Sequence, residues 1–282
     1  MDATVAGRTA RTLETLHALG YFAPEVDAEV AALGVRTGRS TYFASRSAAM
    51  GAVGAGPVAA TFFVFNPALV AKLVPAVWEA ASPADVVAAR LRGIDAAYRR
   101  LLGDEILDSP EVAEAAELTR TAVAGCDPAG RPLYAGHADL DWPQAPHLAL
   151  WHGLTLLREY RGDGHVAALL AHGLTGLEAL VTHTATGKGF TEPAAKLTRG
   201  WSDEQWAGAV ASLAARGLMT DDGRLTAAGE EQRVSIEAAT DQLAVAPWAT
   251  LGEEGRARLK EIGKPLVMTA LAAGAFPEGV FA

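Results

Sequence analysis

The sequence predicts a mainly α-helical fold, and three observations carry that expectation. Alanine and leucine dominate, runs of β-branched residues are short, and several helix starts are written in capping chemistry. The chain has 282 residues, 50% hydrophobic and 20% charged. That is enough to bury one or two ordinary cores without a metal or disulfide staple. Taken in order, residues 47–71 carry no charge between Arg46 and Lys72 but are broken by Gly51, Gly54, Gly56, Pro57, Asn66 and Pro67. Those breakers predict a buried pair of helices rather than a membrane span, because lipid could not satisfy the backbone groups they free. Asn66-Pro67, Ser82-Pro83 and Ser109-Pro110 each join a good N-cap to a proline whose missing N–H costs nothing at the first helical position. They open helices over 67–80, 83–102 and 110–124.

Residues 126–132 are dense in turn formers and, with the Asp141-Trp142-Pro143 corner, predict the longest irregular connection. A boundary there separates a helical N-terminal domain, residues 1–126, from a second domain, residues 145–282. Two helices follow, 147–160 and 165–184, separated by Arg161-Gly162-Asp163-Gly164. The glycines end one helix and start the next, which Asp163 caps. Ser202-Asp203-Glu204-Gln205 is a capping box that opens a helix to Arg216, where Gly217 stops it. Leu218-Met219-Thr220, the turn from Asp221 to Arg224, and Leu225-Thr226 predict a short β-hairpin, and a last helix covers 227–245.

Charge and cysteine usage narrow the function. The 24 Lys and Arg against 33 Asp and Glu give −9, which opposes a phosphate backbone. The single cysteine, Cys126, excludes an intramolecular disulfide framework and a multi-cysteine zinc or iron–sulfur site. Residues 1–11 hold no apolar signal core, so a cytoplasmic location is expected.

The run from Ala195 through Thr198-Arg199-Gly200-Trp201-Ser202, then Arg216-Gly217-Leu218, then Leu225-Thr226-Ala227-Ala228-Gly229, resembles the winged helix-turn-helix domain of MarR-type regulators. The match covers about residues 190–245. The resemblance implies that Gly200 sits in the tight turn between two helices, with 216–226 forming a β-hairpin wing. More broadly, 155–165 together with Tyr42-Phe43-Ala44-Ser45-Arg46 is similar to an actinobacterial family of MarR-like proteins. That likeness names a scaffold and no chemistry. The helix placed to read DNA begins Asp203-Glu204-Gln205, and the wing tip holds Asp221 and Asp222 against Arg224. Both carry the wrong charge for a groove.

The chemistry-bearing pattern lies in the helix of residues 147–160. It is apolar on nearly every face, which predicts burial, yet it carries His152, Thr155 and Glu159 within roughly 60° of one another. Buried ionisable groups are paired or shifted in pKa, so this stripe is either a pocket or an internal ion-pair network, for instance Glu159 with Arg46, Arg158 or Arg161. His165, with His152, belongs to the candidate acid/base set. Arg46, Arg158 and Arg161 suit bidentate capture of a carboxylate, sulfate or phosphate. Arg161 to Gly164 at a helix start would add free backbone N–H groups and Asp163 to the same site. Tyr42 and Thr155 would orient a substrate against an apolar wall that includes Phe62, Phe63 and Phe65. No metal site is expected: His165, His172 and His183 share a stripe but lie about 10 and 16 Å apart, and no metal-binding string is present.

These residues lead to a small-molecule-binding winged-helix protein for a small polar or anionic molecule. If an enzyme, it performs cofactor-free acid/base chemistry (elimination, cyclisation or hydrolysis) with Glu159, His152 and His165 as proton-transfer groups. The alternative is a MarR-like regulator in which a ligand shifts a DNA-binding form. No membrane role is expected, and monomer and homodimer both remain open.

Overall fold

A computed structural model describes residues 1–277 and contains no β-strand among them. The chain opens with α1 (Ala3–Ala18), α2 (Pro24–Ala31), α3 (Arg39–Ser47) and α4 (Ala55–Phe62). The three expected cap–proline starts then open α5 (Pro67–Ala80), α6 (Pro83–Leu102) and, after the one-turn α7 (Asp104–Leu107), α8 (Pro110–Val123). In each, the Asn66, Ser82 or Ser109 side chain accepts a first-turn N–H that has no partner within the helix. A short α9 (Pro132–Ala138) leads into α10 (Pro146–Ala171), the 26-residue axis of the molecule.

Continuity of α10 corrects two expectations. Residues Arg161 to Gly164 lie inside the helix, so they form no loop, Asp163 caps no second helix, and no free N–H groups gather there. The reason is tertiary. The buried Asp163 carboxylate accepts the N–H groups of Leu133 at 3.0 Å and Tyr134 at 2.9 Å, capping α9 instead. Gly164 is small where Arg131 crosses: a Cβ there would lie 2.6 Å from Arg131 Nη1. Arg131 itself donates to the Tyr160 carbonyl, and to that of Leu243 at 2.8 Å. Residues 126–131 are irregular as expected, and α9 begins directly after them at Pro132.

Beyond α10 come α11 (Gly176–Thr184), α12 (Glu192–Arg199), α13 (Asp203–Ala215), α14 (Ala227–Leu243) and α15 (Val245–Ala272), the last broken at Gly252. Gly200 takes the left-handed conformation between α12 and α13, with φ 76° and ψ 30°. The Ser202–Gln205 capping box forms as expected. The expected β-hairpin wing does not. It is reduced to one isolated antiparallel bridge, Met219 with Leu225. Thr220 and Asp222 side chains tie the turn to itself, leaving too few residues for a ladder.

Four apolar clusters meet on α10, one of them formed by Leu156 and Tyr160 with Tyr134 of α9. Leu150, Leu154 and Leu157 pack with Leu13 and Leu16 of α1, Val112 of α8, and Trp248 and Leu259 of α15. Trp151 joins Ile94 and Tyr98 of α6 and Val26 of α2. Leu169, at the far end, joins Leu180 of α11, Trp206 and Leu213 of α13 and Ile236 of α14, so that α11 to α14 form one unit around the helix-turn-helix pair α12 and α13. Each such leucine stabilises by about 1.5–3 kcal/mol relative to exposure, so α10 is held along its whole length. Phe43, Phe62, Phe65 and Val74 form a further cluster under α3 to α5. Among the described residues, no single helix is long and apolar enough to cross a membrane.

Candidate functional site

Thr155 and Glu159 lie one turn apart on α10, on the face met by α1 and α3, and both are 1% exposed. Glu159 accepts from Arg46 Nε at 3.2 Å and Nη2 at 3.1 Å, a bidentate fork, and from Arg158 Nη1 at 2.6 Å. Thr155 Oγ1 sits 3.0 Å from His17 Nδ1, and His17 Nε2 lies 2.8 Å from the Tyr21 hydroxyl. That hydroxyl is also 3.3 Å from Glu159 Oε1 and has a single proton for the two neighbours. Arg46 Nη1 donates to the Tyr42 hydroxyl at 3.2 Å, and the Arg46 guanidinium lies 4.3 Å from the Phe62 ring centre. The sequence-derived residues Tyr42, Arg46, Thr155, Arg158 and Glu159 therefore share one network.

Four other candidates lie elsewhere. His152 is buried edge-on against Trp142 with its Nε2 unpartnered among the described residues. His165 meets Thr240 on α14 at 2.8 Å. Arg161 pairs with Asp241 at 3.0 Å and Glu237 at 3.2 Å. Asp163 caps α9.

Electrostatics in the network favour holding charge over moving protons. Burial alone would raise the Glu159 carboxyl, but Arg158 and Arg46 together hold it well below the usual carboxylate range. Burial lowers His17 to about 3, aided by Arg158, and drives His137 well down. Burial also takes His152 to about 4, with Arg90 and Arg120 adding to the effect, and takes His165 to about 4. Burial raises the Tyr21 hydroxyl far above its ordinary value. None of these groups is poised near neutral pH, where a general acid or base works best.

Beside the network opens a cleft of about 690 Å³ between the N-terminal helices and the helix-turn-helix unit. Tyr21, Tyr42, Phe65 and Phe190 give it aromatic walls, and Arg158 and Arg199 reach it from α10 and α12. The Arg199 guanidinium lies 4.6 Å from the Phe65 ring centre and 4.7 Å from that of Phe190. Burial lowers its pKa, its Nε has no hydrogen-bond partner, and it makes no ion pair among the described residues. A 4% exposed Arg90 on α6 donates to the Ser45 carbonyl at 2.7 Å and lies 5.3 Å from the Trp151 ring centre. Four buried or half-buried arginines thus stand about the Glu159 network and the cleft, which Glu14, Asp27 and Arg39 also line.

Sequence reasoning did not single out His17, Tyr21, Arg90, His137 or Arg199. A signal existed for two of them. His17 follows Leu13 and Leu16 on the buried stripe of α1, and Arg90 interrupts the Val86, Ala89, Ile94 stripe of α6. Arg199 ends α12 and offers no such clue. Among the described residues, no three His, Cys, Asp or Glu side chains come together to hold a metal ion.

The helix-turn-helix unit carries a different surface. The exposed residues of α13 include Asp203, Glu204, Gln205, Ala207, Gly208, Ala211 and Ser212. Nearby cations are tied to acids: Lys196 to Glu192 at 2.8 Å, Arg216 to Glu178 at 3.3 Å and Arg224 to Asp222 at 2.9 Å. The unit is joined to the N-terminal helices by Asn66 N–H to the Arg199 carbonyl at 3.0 Å and Trp201 Nε1–H to the Val64 carbonyl at 2.9 Å.

In comparisons with known proteins, the family model described as a helix-turn-helix family matches residues 6–277. No curated protein and no solved structure matches the chain.

Proposed function

The chain belongs to this helix-turn-helix family, and from that premise we propose that it binds a small amphipathic organic anion in the cleft between α1, α3 and α12. One observation carries the proposal: the cleft and the network behind it hold Arg39, Arg46, Arg90, Arg158 and Arg199 against Glu14, Asp27 and Glu159, and Arg199 has no ion pair among the described residues. Removing unpaired charge from water is costly, so a buried cationic excess is best explained by a partner that neutralises it. An aryl carboxylate, sulfate or phosphate would place its charge on the Arg199 and Arg158 forks and its ring among Tyr21, Tyr42, Phe65 and Phe190. Tyr42, Arg46 and Thr155 then act by fixing these walls and the Glu159 network.

Cofactor-free acid/base catalysis draws less support, since Glu159 is ion-paired and burial lowers His17, His137, His152 and His165. A second reading has a specific observation in its favour: the family match and the MarR-like pattern of residues 190–245 support a ligand-responsive regulator. On that reading the anion touches both Arg199 on α12 and the N-terminal body, and so biases where the helix-turn-helix unit sits. The acidic α13 face weighs against a DNA groove as its target, and a cytoplasmic setting is part of the proposal. The test is a thermal-shift panel of aryl carboxylates, sulfates and phosphates beside their uncharged counterparts. The anions raise the melting temperature and the neutral compounds do not; equal responses, or none from any anion, would refute the reading.

A further inference from the structure

Adjoining the cleft is a second, much smaller space of about 20 Å³, and Gly20, Tyr21 and Ser45 line both. A space of this size accommodates about one water-sized occupant, far too little for an organic ligand. Its polar lining includes Ser45 of α3, Arg90 of α6 and His137 of α9, which are 8%, 4% and 1% exposed. Ser45 Oγ, Arg90 Nε and both ring nitrogens of His137 have no hydrogen-bond partner among the described residues. Three helices thus bring unsatisfied polar groups to one point, where each would otherwise cost its full desolvation.

The chemistry of these groups selects the occupant. Arg90 Nε only donates, the Ser45 hydroxyl can donate, and His137, kept neutral by burial, offers one N–H. Arg90 keeps its charge at neutral pH, and no carboxylate lies within ion-pair distance of it among the described residues. Glu159 also lines the space but is already matched by Arg46 and Arg158. A water molecule would meet the donors without adding charge beside Arg90, on which Glu159 acts only from beyond ion-pair distance. We propose that the Arg90–His137–Ser45 cavity is a binding site for a small monovalent inorganic anion of chloride size. The anion accepts from Arg90 Nε–H, the His137 ring N–H and the Ser45 hydroxyl, and it neutralises the guanidinium where α3, α6 and α9 meet. This site adjoins the organic-anion cleft and shares Ser45 with it, but Arg90 and His137 line only the smaller space, so the proposal stands whether or not the cleft takes its ligand.

The experiment compares melting temperatures in sodium chloride and sodium gluconate at equal ionic strength, with crystals of the full chain grown in sodium bromide. Chloride raises the melting temperature by about 2–4 °C in a saturable way, as expected for an anion that binds only the folded chain. The response disappears in Arg90→Gln and weakens in Ser45→Ala, which keeps the charge and serves if Arg90→Gln fails to fold. Bromide gives an anomalous peak within hydrogen-bond distance of Arg90 Nε. Equal melting temperatures in the two salts, or density at that point without anomalous signal, would show water in the cavity and overturn the proposal.

Discussion

Glu159 and the histidines behind it are answered by their surroundings in opposite senses, and acid titration distinguishes them. His17, at about 3, and His152, at about 4, have folded pKa values depressed from 6.5, and His137 lies well below that value. The unfolded chain therefore takes up their protons first. Their contribution to stability is complete above pH 6.5 and is lost as pH falls from there toward 4, by about 1.4 kcal/mol per pH unit for each histidine. The Glu159 carboxyl, depressed from 4.5, keeps its contribution down to that value and loses it only at lower pH. Urea unfolding at pH 7.5 and pH 5 should show a marked fall in midpoint at the lower pH; an unchanged midpoint would mean that these rings are not buried neutral. At this scale, five of the sequence-derived residues, Tyr42, Arg46, Thr155, Arg158 and Glu159, come together because four-residue spacing on a buried helix and an arginine after an aromatic pair are readable signals. His152 shares the stripe by angle, yet Trp142 covers it, a tertiary contact that no periodicity reports. Arg199 was illegible for a different reason. At a helix end its role depends on Phe65 and Phe190, distant in sequence.

At the scale of elements, the proline-led helices α5, α6 and α8 were legible because capping is local chemistry. The break expected in α10 was not found, since glycine propensity lost to tertiary bonds made by Asp163 and Arg131. Replacing Asp163 with alanine strips two buried N–H groups at the start of α9 of their acceptor. A loss of about 1–2 kcal/mol is expected in chemical denaturation, and a loss near zero would assign the α9 start to something else. The hairpin fell short of a wing because its turn residues bond to one another and only Met219 and Leu225 pair. With α13 exposing Asp203 and Glu204 and nearby Lys196, Arg216 and Arg224 each held by an acid, phosphate contacts are scarce. Fluorescence titration against duplex DNA, including the promoter beside its own gene, should show no association that weakens steeply with salt. Tight, salt-sensitive binding would restore the DNA reading.

At the scale of the whole molecule, α10 passes from the N-terminal body into the helix-turn-helix unit, and α15 returns to pack on α1 and α8. The cleft lies where these parts meet, so its walls come from residues far apart in the chain, such as Tyr21, Tyr42, Arg158 and Arg199. Composition and patterning showed a helical chain, and a family resemblance over residues 190–245 implied a helix-turn-helix segment; an assembly of walls from five helices has no linear signature. The excess of arginine over carboxylate is the property of this assembly that points to a ligand, and Arg199, which makes no ion pair among the described residues, is its clearest instance. Calorimetric titration of the tightest aryl anion from the panel into the wild-type chain and Arg199→Met tests this most directly. The account predicts about a tenfold or greater loss of affinity in the variant, as for a charge-assisted hydrogen bond, with the uncharged counterpart binding both proteins equally weakly. Equal affinity of the anion for the two proteins would contradict it.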